Sequence, residues 1–375
     1  MISKESEAIS RILELNDRKL AVSFSGGKDS LVVLDLAVRT GITNVVFSDT
    51  SMEFPETLEY VREVSLFYGL DIKIVTAPVT LYEMIEYIGV PSRRLRWCCE
   101  VLKFGPISRY AIENNIEGFI TGLRKKESNR RKNYKFIDNN PMVPVSQINP
   151  ILEWDDSDVW EYIATNRLPY NSLYNEFDRV GCWCCPYRTE KDWQKTEEIH
   201  PEMIDEFNKS LESWAHKLKI QDKEKFISGR GWNAWATPRR SLYIGTQKTI
   251  NNGNSCKVIL SFSTKFEHYS SRINEILPII STDYHINNSN IEITIDKNKT
   301  SHFRILIEKA INCVGCGACT ARCKRGALSI SNGHLILDIT KCNQCEECLR
   351  ASKLGLRGAC IIRNYAPNRT KLLDI

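Results

Sequence analysis

No apolar run in these 375 residues approaches the roughly 18–20 needed to cross a bilayer. The opening Met1-Ile2-Ser3-Lys4-Glu5 is charged and periodic rather than signal-like. The expectation is a soluble, cytoplasmic protein with no membrane partner. An excess of one charge is also missing. The formal balance is only +5, so contact with a polyanion has to come from local clusters. Two nucleotide signatures are absent as well: there is no G-x-x-x-x-G-K-[ST], which excludes a Walker loop, and no G-x-G-x-x-G after the first strand. Isolated cysteines are few. Of 14, Cys256 and Cys360 stand apart, and the others fall in pairs and Cys-x-x-Cys steps. That spacing suits metal thiolates better than a disulfide framework.

What is present begins with Ser23-Phe24-Ser25-Gly26-Gly27-Lys28-Asp29-Ser30, set between Leu20-Ala21-Val22 and Leu31-Val32-Val33-Leu34. The pattern predicts strand, tight turn and helix, with turn N–H groups and a helix N-terminus aimed at one point, where phosphate binds. Gly26 and Gly27 allow close approach, Ser25 and Ser30 offer hydroxyls, and Lys28 brings a mobile charge.

Further strands are expected at Thr43–Ser48, ending in Asp49-Thr50-Ser51, at Asp71–Val75 and at Gly118–Gly122. Asp49 is placed either to accept from a ribose or adenine or to cap the following helix. The run from Leu123 to Lys132 leaves the carboxyl end of a predicted parallel strand, where ligands bind. An acidic helix start at Trp154–Asp158 and the Pro169–Tyr174 segment follow, with Trp154, Trp160 and Tyr170 read as core. Residues 193–300 read as helical and Trp/Arg-rich, then as a small α+β piece with a turn at Asn287–Asn290. Gly229–Trp235 is either a nucleic-acid stacking surface or a packed linker.

The Ser-Gly-Gly-x-Asp-Ser order resembles the PP-loop of the ATP pyrophosphatase superfamily. The later signatures, Asp49-Thr50, Phe54-Pro55-Glu56-Thr57, Pro169–Tyr174 and Gly181-Cys182-Trp183-Cys184-Cys185-Pro186, resemble the PAPS reductase family over the first half of the chain. The resemblance implies a doubly wound parallel α/β sheet of the adenine nucleotide alpha hydrolase type, with the nucleotide at the carboxyl ends of the strands. It implies a nucleotide site of Ser23, Ser25, Gly26, Gly27, Lys28, Asp29, Ser30, Asp49, Gly122, Arg124 and Arg131, with Lys28, Asp29 and Arg124 as candidate catalytic residues. It also brings a third iron–sulfur site into view. Cys98-Cys99 and Cys182-x2-Cys185, 82 residues apart, approach the arrangement by which assimilatory APS reductases hold a [4Fe–4S] cluster, with structural zinc as the alternative.

Cys313-x2-Cys316-x2-Cys319-x3-Cys323 and Cys342-x2-Cys345-x2-Cys348, with Cys360 beyond, form a two-cluster bacterial ferredoxin pattern. By that pattern Cys313, Cys316, Cys319 and Cys360 hold one [4Fe–4S] cluster and Cys323, Cys342, Cys345 and Cys348 the other. Zinc also uses Cys-x-x-Cys, and the doubled triple cysteine favours iron. Cys323 is followed by Lys324 rather than proline, and the step from Cys348 to Cys360 is stretched. The expected organisation is a PP-loop domain at 1–192, a helical and small α+β region at 193–300, and a two-cluster ferredoxin domain at 301–375.

Sulfonucleotide reductases of the family carry their nucleophile in a Glu-Cys-Gly-x-His segment, which these residues do not contain; Cys256 has no neighbouring histidine. The loop keeps Lys28 and both serines, as ATP-cleaving members do. The expectation is therefore an enzyme that uses ATP and Mg²⁺ to adenylate an acceptor, a nucleic acid among the candidates, and supports sulfur transfer from a cysteine desulfurase or other donor. Electrons would come from its own ferredoxin domain. The alternative is a ferredoxin-linked APS or PAPS reductase, and the remaining one an electron-carrier subunit.

Overall fold

The computed structural model describes residues 3–350 apart from 94–95, 129–130, 141, 235–245, 263–265, 288, 314, 316 and 318. In chain order its elements are α1 (Lys4–Leu13), β1 (Leu20–Phe24), α2 (Lys28–Arg39), β2 (Val45–Asp49), α3 (Pro55–Tyr68), β3 (Lys73–Thr76), α4 (Leu81–Ile88), α5 (Gly105–Glu113), β4 (Gly118–Ile120), β5 (Ile137–Asn139), β6 (Ser146–Ile148) and α6 (Asp156–Thr165). There follow α7 (Glu190–Ile199), α8 (Pro201–Leu218), α9 (Lys223–Ile227), β7 (Gln247–Asn252), β8 (Ser255–Ser261), α10 (Phe266–Ile276), β9 (Tyr284–Ile286), β10 (Asn290–Asp296), α11 (Thr300–Asn312), β11 (Leu328–Ser331) and β12 (His334–Leu337). The chain divides into two compact units, residues 1–76 with 102–209, and 77–101 with 210–375.

In the first unit six strands run in the order β3-β2-β1-β4-β6-β5. β1 pairs in parallel with β2 (Val22↔Val45) and with β4 (Leu20↔Gly118), and β4 in parallel with β6. The sheet is not wholly parallel. β5 returns antiparallel on β6 and forms the edge. Strand order reverses between β1 and β4, so the loops leaving their carboxyl ends flank one crevice, the place where such sheets bind ligands.

The burial pattern explains α2. Leu31, Val32, Val33, Leu34, Leu36 and Ala37 are fully buried, so the helix is covered on nearly every side, and each large apolar side chain stabilises it by roughly 1.5–3 kcal/mol. Ile12, Val22, Phe24, Val45, Ile148, Val159 and Ile163 belong to the same core, which fixes α1, α2 and α6 against the central strands. α3 starts at a proline and stops where Gly69 turns left-handed (φ 60°), with Leu70 N donating to Ser65 O.

In the second unit β7-β8-β10-β9 form an antiparallel sheet, and β11 pairs with β12. Val258, Leu260, Ile291, Ile293 and Ile295 alternate inward and pack with Phe303, Leu306 and Ile307 of α11. Cys319, Cys348 and Leu349 are buried in that same core. The sequence 77–101 also belongs to this unit. Trp97 donates to Gly89 O (2.9 Å) and Arg93 N to Asn233 O (2.7 Å). Among the described residues no helix is long and apolar enough to cross a membrane.

Candidate functional site

β1 ends at Phe24 and the chain turns through Ser25, Gly26 and Gly27 into α2. Gly26 has φ +72°, and a Cβ there would lie 2.8 Å from Thr57 Cγ2, so the turn needs glycine on both counts. Ser30 closes it. Its Oγ accepts from Ser25 N and Gly27 N (both 3.2 Å) and donates to Gly27 O (2.7 Å). Ser23 lies within β1, half-buried, before this turn.

Four charged side chains converge at the start of α2. Lys28 Nζ is 3.0 Å from Asp156 Oδ1 and 3.9 Å from Asp29 Oδ2. Arg124 Nε donates to Asp29 Oδ1 (2.5 Å) and its Nη2 to Asp156 Oδ1 (2.9 Å). Both cations are nearly buried, Lys28 at 8 % and Arg124 at 4 % exposure, whereas the Asp156 side chain is 62 % exposed. The cations are thus held by the protein, the Asp156 carboxylate faces water and Asp29 is half-buried. Rings of Trp160 and Tyr174 flank the Lys28 ammonium at 5.8 and 5.3 Å.

Gly122 earns its place by close approach. A Cβ there would stand 2.5 Å from the carbonyl carbon and oxygen of Asp29, so the chain leaving β4 lies directly on the first turn of α2 and delivers Arg124 to Asp29. Arg131 pairs with Glu127 nearby; burial and then repulsion from Arg179 lower its guanidinium, with Asp29 and Arg124 also acting on it.

Asp49 stands at the end of β2, where its carboxylate accepts from Ser51 N (2.8 Å); the cap position of α3 is Phe54. The Cys182–Cys185 turn meets this same end of β2. Trp183 N donates to Met52 O (3.0 Å), and Cys182 Sγ lies 3.8 Å from Thr50 Oγ1 and 4.0 Å from the Glu53 carboxylate, which burial raises above the ordinary range. Arg188 lies beneath the turn, 4.9 and 4.6 Å from the Phe54 and Phe177 ring centres, and donates to Cys182 O (3.2 Å). Cys184 is fully buried, and burial, reinforced by Cys182 and Cys185, pushes its thiol well up.

Cys98 and Cys99 belong to the second unit, where Arg96 Nη2 donates to Cys99 Sγ (3.3 Å). Of the ferredoxin-type cysteines, Cys316 and Cys360 lie outside the described residues. The two triple-cysteine loops share one backbone signature: Gly315 and Gly317 flank Cys316 with φ +70° and +74°, and Gln344 and Glu346 flank Cys345 with φ 54° and 60°. A non-glycine residue in that region costs roughly 1–2 kcal/mol, so the second loop holds its shape against strain. Backbone N–H groups point at sulfur, from Ala327 to Cys323 (3.3 Å) and from Gln344 to Cys342 (3.4 Å), the type of bond that supports thiolates in iron–sulfur sites.

Burial pushes the Cys348 thiol up to about 12; the Lys309 charge opposes the rise and the Cys319, Cys323 and Cys345 thiols add to it. A buried thiol of this kind gains a counter-charge when a cation binds, so Cys348 suits a metal–thiolate group. Among the described residues no three Cys, His, Asp or Glu side chains meet at a single-ion position.

Sequence reading passed over Asp156, Asn171 and Tyr174. Asp155 is the residue that caps α6, accepting from Asp158 N, which frees Asp156 to face Lys28. The signal was one more carboxylate at the helix start than a cap requires. Asn171 Nδ2 donates to Gly26 O (3.1 Å), and Tyr174 Oη accepts from Lys28 N (2.9 Å). Trp160 and Tyr170, read as core, are half-buried and 44 % exposed, whereas Trp154 is buried.

Asp156 also sets an acid dependence. Burial raises its carboxyl, but the Lys28 hydrogen bond and the charges of Lys28 and Arg124 outweigh that and leave it below the ordinary value. A depressed carboxylate stabilises the fold above its unfolded-state pKa, and that contribution is lost as pH falls through the folded-state value. Asp156→Asn is therefore expected to remove part of the acid-side decline in the urea midpoint. A decline identical to wild type would contradict the placement of Asp156.

The family model described as the phosphoadenosine phosphosulfate reductase domain matches residues 19–188, which contain the whole phosphate-loop quartet. An adenosine 5'-phosphosulfate reductase from Oceanobacillus iheyensis is 31% identical over 193 residues, 48% of this chain and 78% of that protein. An uncharacterized protein of Methanocaldococcus jannaschii is 37% identical over 222 residues, 57% of this chain and 44% of that protein, and a second from that organism is 35% identical over 213 residues, 55% of this chain and 50% of that protein. The chain thus spans about half the length of these two archaeal relatives. A solved phosphoadenylyl-sulfate reductase from Candida auris is similar at 24% identity and TM-score 0.40, over 48% of this chain and 88% of that one. With its phosphate loop inside the matched region, the chain belongs to the phosphoadenosine phosphosulfate reductase family.

Proposed function

We propose that this protein binds ATP at the Ser25–Ser30 loop, adenylates an acceptor with release of pyrophosphate, and supports sulfur transfer to that acceptor. The observation that carries this reading is the convergence of Lys28, Arg124, Asp29 and Asp156 at the N-terminus of α2. An acceptor oxygen attacks the α-phosphorus and loses its proton; the α–β bond breaks, and pyrophosphate leaves with the electron pair. Lys28 and Arg124 are placed to neutralise the charge that develops on that leaving group. The exposed Asp156 carboxylate and the half-buried Asp29 carboxylate would hold a Mg²⁺ ion, which would supply charge neutralisation to the nucleotide phosphates. The terminal sulfur of a donor persulfide then displaces AMP from the activated position, and a thiol reductant cleaves the resulting disulfide, releasing the thiolated acceptor and leaving a disulfide of the donor with that thiol.

The cysteines supply the second half of the proposal. Cys313, Cys316, Cys319 and Cys360, and Cys323, Cys342, Cys345 and Cys348, would hold two [4Fe–4S] clusters, and Cys98, Cys99, Cys182 and Cys185 a third. Bound clusters would supply one-electron transfer. The protein's part is to hold sulfur atoms in strained loops and aim N–H donors at them. Anaerobically reconstituted protein is expected to carry about twelve irons per chain, three clusters of four. About eight would remove the third cluster, and zinc in place of iron would remove the redox half of the proposal.

A second reading, reduction of a sulfonucleotide to sulfite, is favoured by the relatives named adenosine 5'-phosphosulfate reductase. It would need a nucleophile other than the Glu-Cys-Gly-x-His cysteine, which is absent from these 375 residues. Calorimetric titration separates the two. ATP with Mg²⁺ is expected to bind more tightly than APS, and the opposite order favours the reductase.

A further inference from the structure

The phosphate loop's own donors are held by two hydroxyls of the protein. Ser30 Oγ takes Ser25 N and Gly27 N, and Tyr174 Oη takes Lys28 N at 2.9 Å. Tyr174 sits on a short turn, Ser172–Asn175, whose leading residue is pinned: Asn171 Nδ2 donates to Gly26 O (3.1 Å) and to Thr57 Oγ1 (3.2 Å). The hydroxyl reaches the loop because residue 27 has no side chain, since a Cβ there would lie 3.1 Å from Tyr174 Oη. Lys28 is the first residue of a twelve-residue helix, and its N–H is among the donors that such a terminus offers to phosphate. Tyr174 Oη therefore stands where a phosphate oxygen would.

We propose that Tyr174 sets the affinity of the loop for phosphate: an incoming nucleotide phosphate replaces its hydroxyl on Lys28 N, and the ring turns aside into the groove that it lines. That groove, of about 420 Å³, runs beside Trp160, Tyr170, Arg167 and Asn175 and leaves room for the displaced ring. Burial pushes the phenol up to about 12, so the competitor near neutral pH is a neutral hydroxyl. An anionic phosphate oxygen forms the stronger, charge-assisted bond to the same N–H and wins the exchange. Each binding event still gives up the tyrosine bond, which lowers affinity below that of a loop with Lys28 N free. The proposal rests on phosphate binding at this loop and holds for ATP and a sulfonucleotide alike.

The test uses the full-length chain, the Tyr174→Phe variant and inorganic pyrophosphate as the probe. Phenylalanine keeps the ring beside Lys28 and removes only the oxygen. Calorimetry should show pyrophosphate binding roughly two- to tenfold tighter than in wild type, the size of one neutral hydrogen bond. Far-UV circular dichroism and the unfolding midpoint establish that the variant is folded. Unchanged or weaker binding by folded Tyr174→Phe overturns the proposal while leaving the phosphate loop intact. In wild type, pyrophosphate saturation should shift the Tyr174 ring resonances, and a ring that stays fixed overturns it without reference to the variant. A wild-type chain that binds no pyrophosphate overturns the phosphate-loop reading, and this proposal with it.

Discussion

Lys28→Ala is expected to lower acceptor-dependent pyrophosphate release by roughly 10²–10³-fold, the usual cost of removing one preorganised charge donor from a transition state. The expectation follows from how little of the lysine's surroundings is free to compensate. Arg124 is already committed to Asp29 and Asp156, and the rings of Trp160 and Tyr174 occupy the other sides. Without the ammonium, Asp156 faces the leaving group with one fewer cation between them. Folding should change little, since Asp156 keeps Arg124 and is largely exposed. Lys28→Arg should not restore the rate, because a guanidinium spreads its charge over a planar fork instead of holding it at the single point that the Lys28 ammonium occupies beside Asp156. Steady-state pyrophosphate assays with thermal melts in parallel check all three statements. A Lys28→Ala enzyme within tenfold of wild type would show that the loop lysine does not act on the reacting phosphates.

Gly122→Ala is expected to be comparably damaging by a different route. The added methyl would sit 2.5 Å from the Asp29 carbonyl and 2.8 Å from Ser30 N, and both neighbours are backbone at the first turn of α2. Neither can rotate away. Either the chain after β4 lifts and carries Arg124 from Asp29, or α2 shifts and distorts the Ser30-closed turn. Overpacking of this kind costs about 1–3 kcal/mol, so the urea midpoint should fall together with nucleotide affinity. A stable Gly122→Ala protein with wild-type affinity would mean that the two loops are not in contact.

These two residues also mark what could be read in advance. The strand, turn and helix around Ser25–Ser30 were legible because apolar residues flank an unmistakable glycine pair, and local pattern decides such a unit. Gly122 and Arg124 were legible as belonging to the site only through family resemblance; the reason for the glycine, contact with Asp29, is long-range. Asp156 looked like one of several acidic helix-start residues, and its pairing with Lys28 depends on how α6 packs on α2. The short strands β5 and β6 carry too few apolar residues to register as a period. β7 is exposed along its whole length and has no buried face to betray it. Most opaque was the membership of residues 77–101 in the second unit, a matter of tertiary contact that local sequence does not record.

The left-handed residues of the second cysteine loop show the same limit from the other side. Gly315 and Gly317 announce their turns, whereas Gln344 and Glu346 adopt the matching conformation without a glycine. Glu346 is held there by Lys299 at 2.9 Å and by His302, partners 44 or more residues away.

Adenylation by ATP is tested most directly by one anaerobic incubation of the full-length protein, divided between ATP with Mg²⁺ and candidate acceptors, and APS or PAPS with dithionite, assayed for pyrophosphate and for sulfite. Acceptor-dependent pyrophosphate in the first arm, lost in Lys28→Ala, with no sulfite in the second, is the predicted result. Sulfite from the sulfonucleotide with ATP left intact would contradict it and assign the chain to sulfonucleotide reduction.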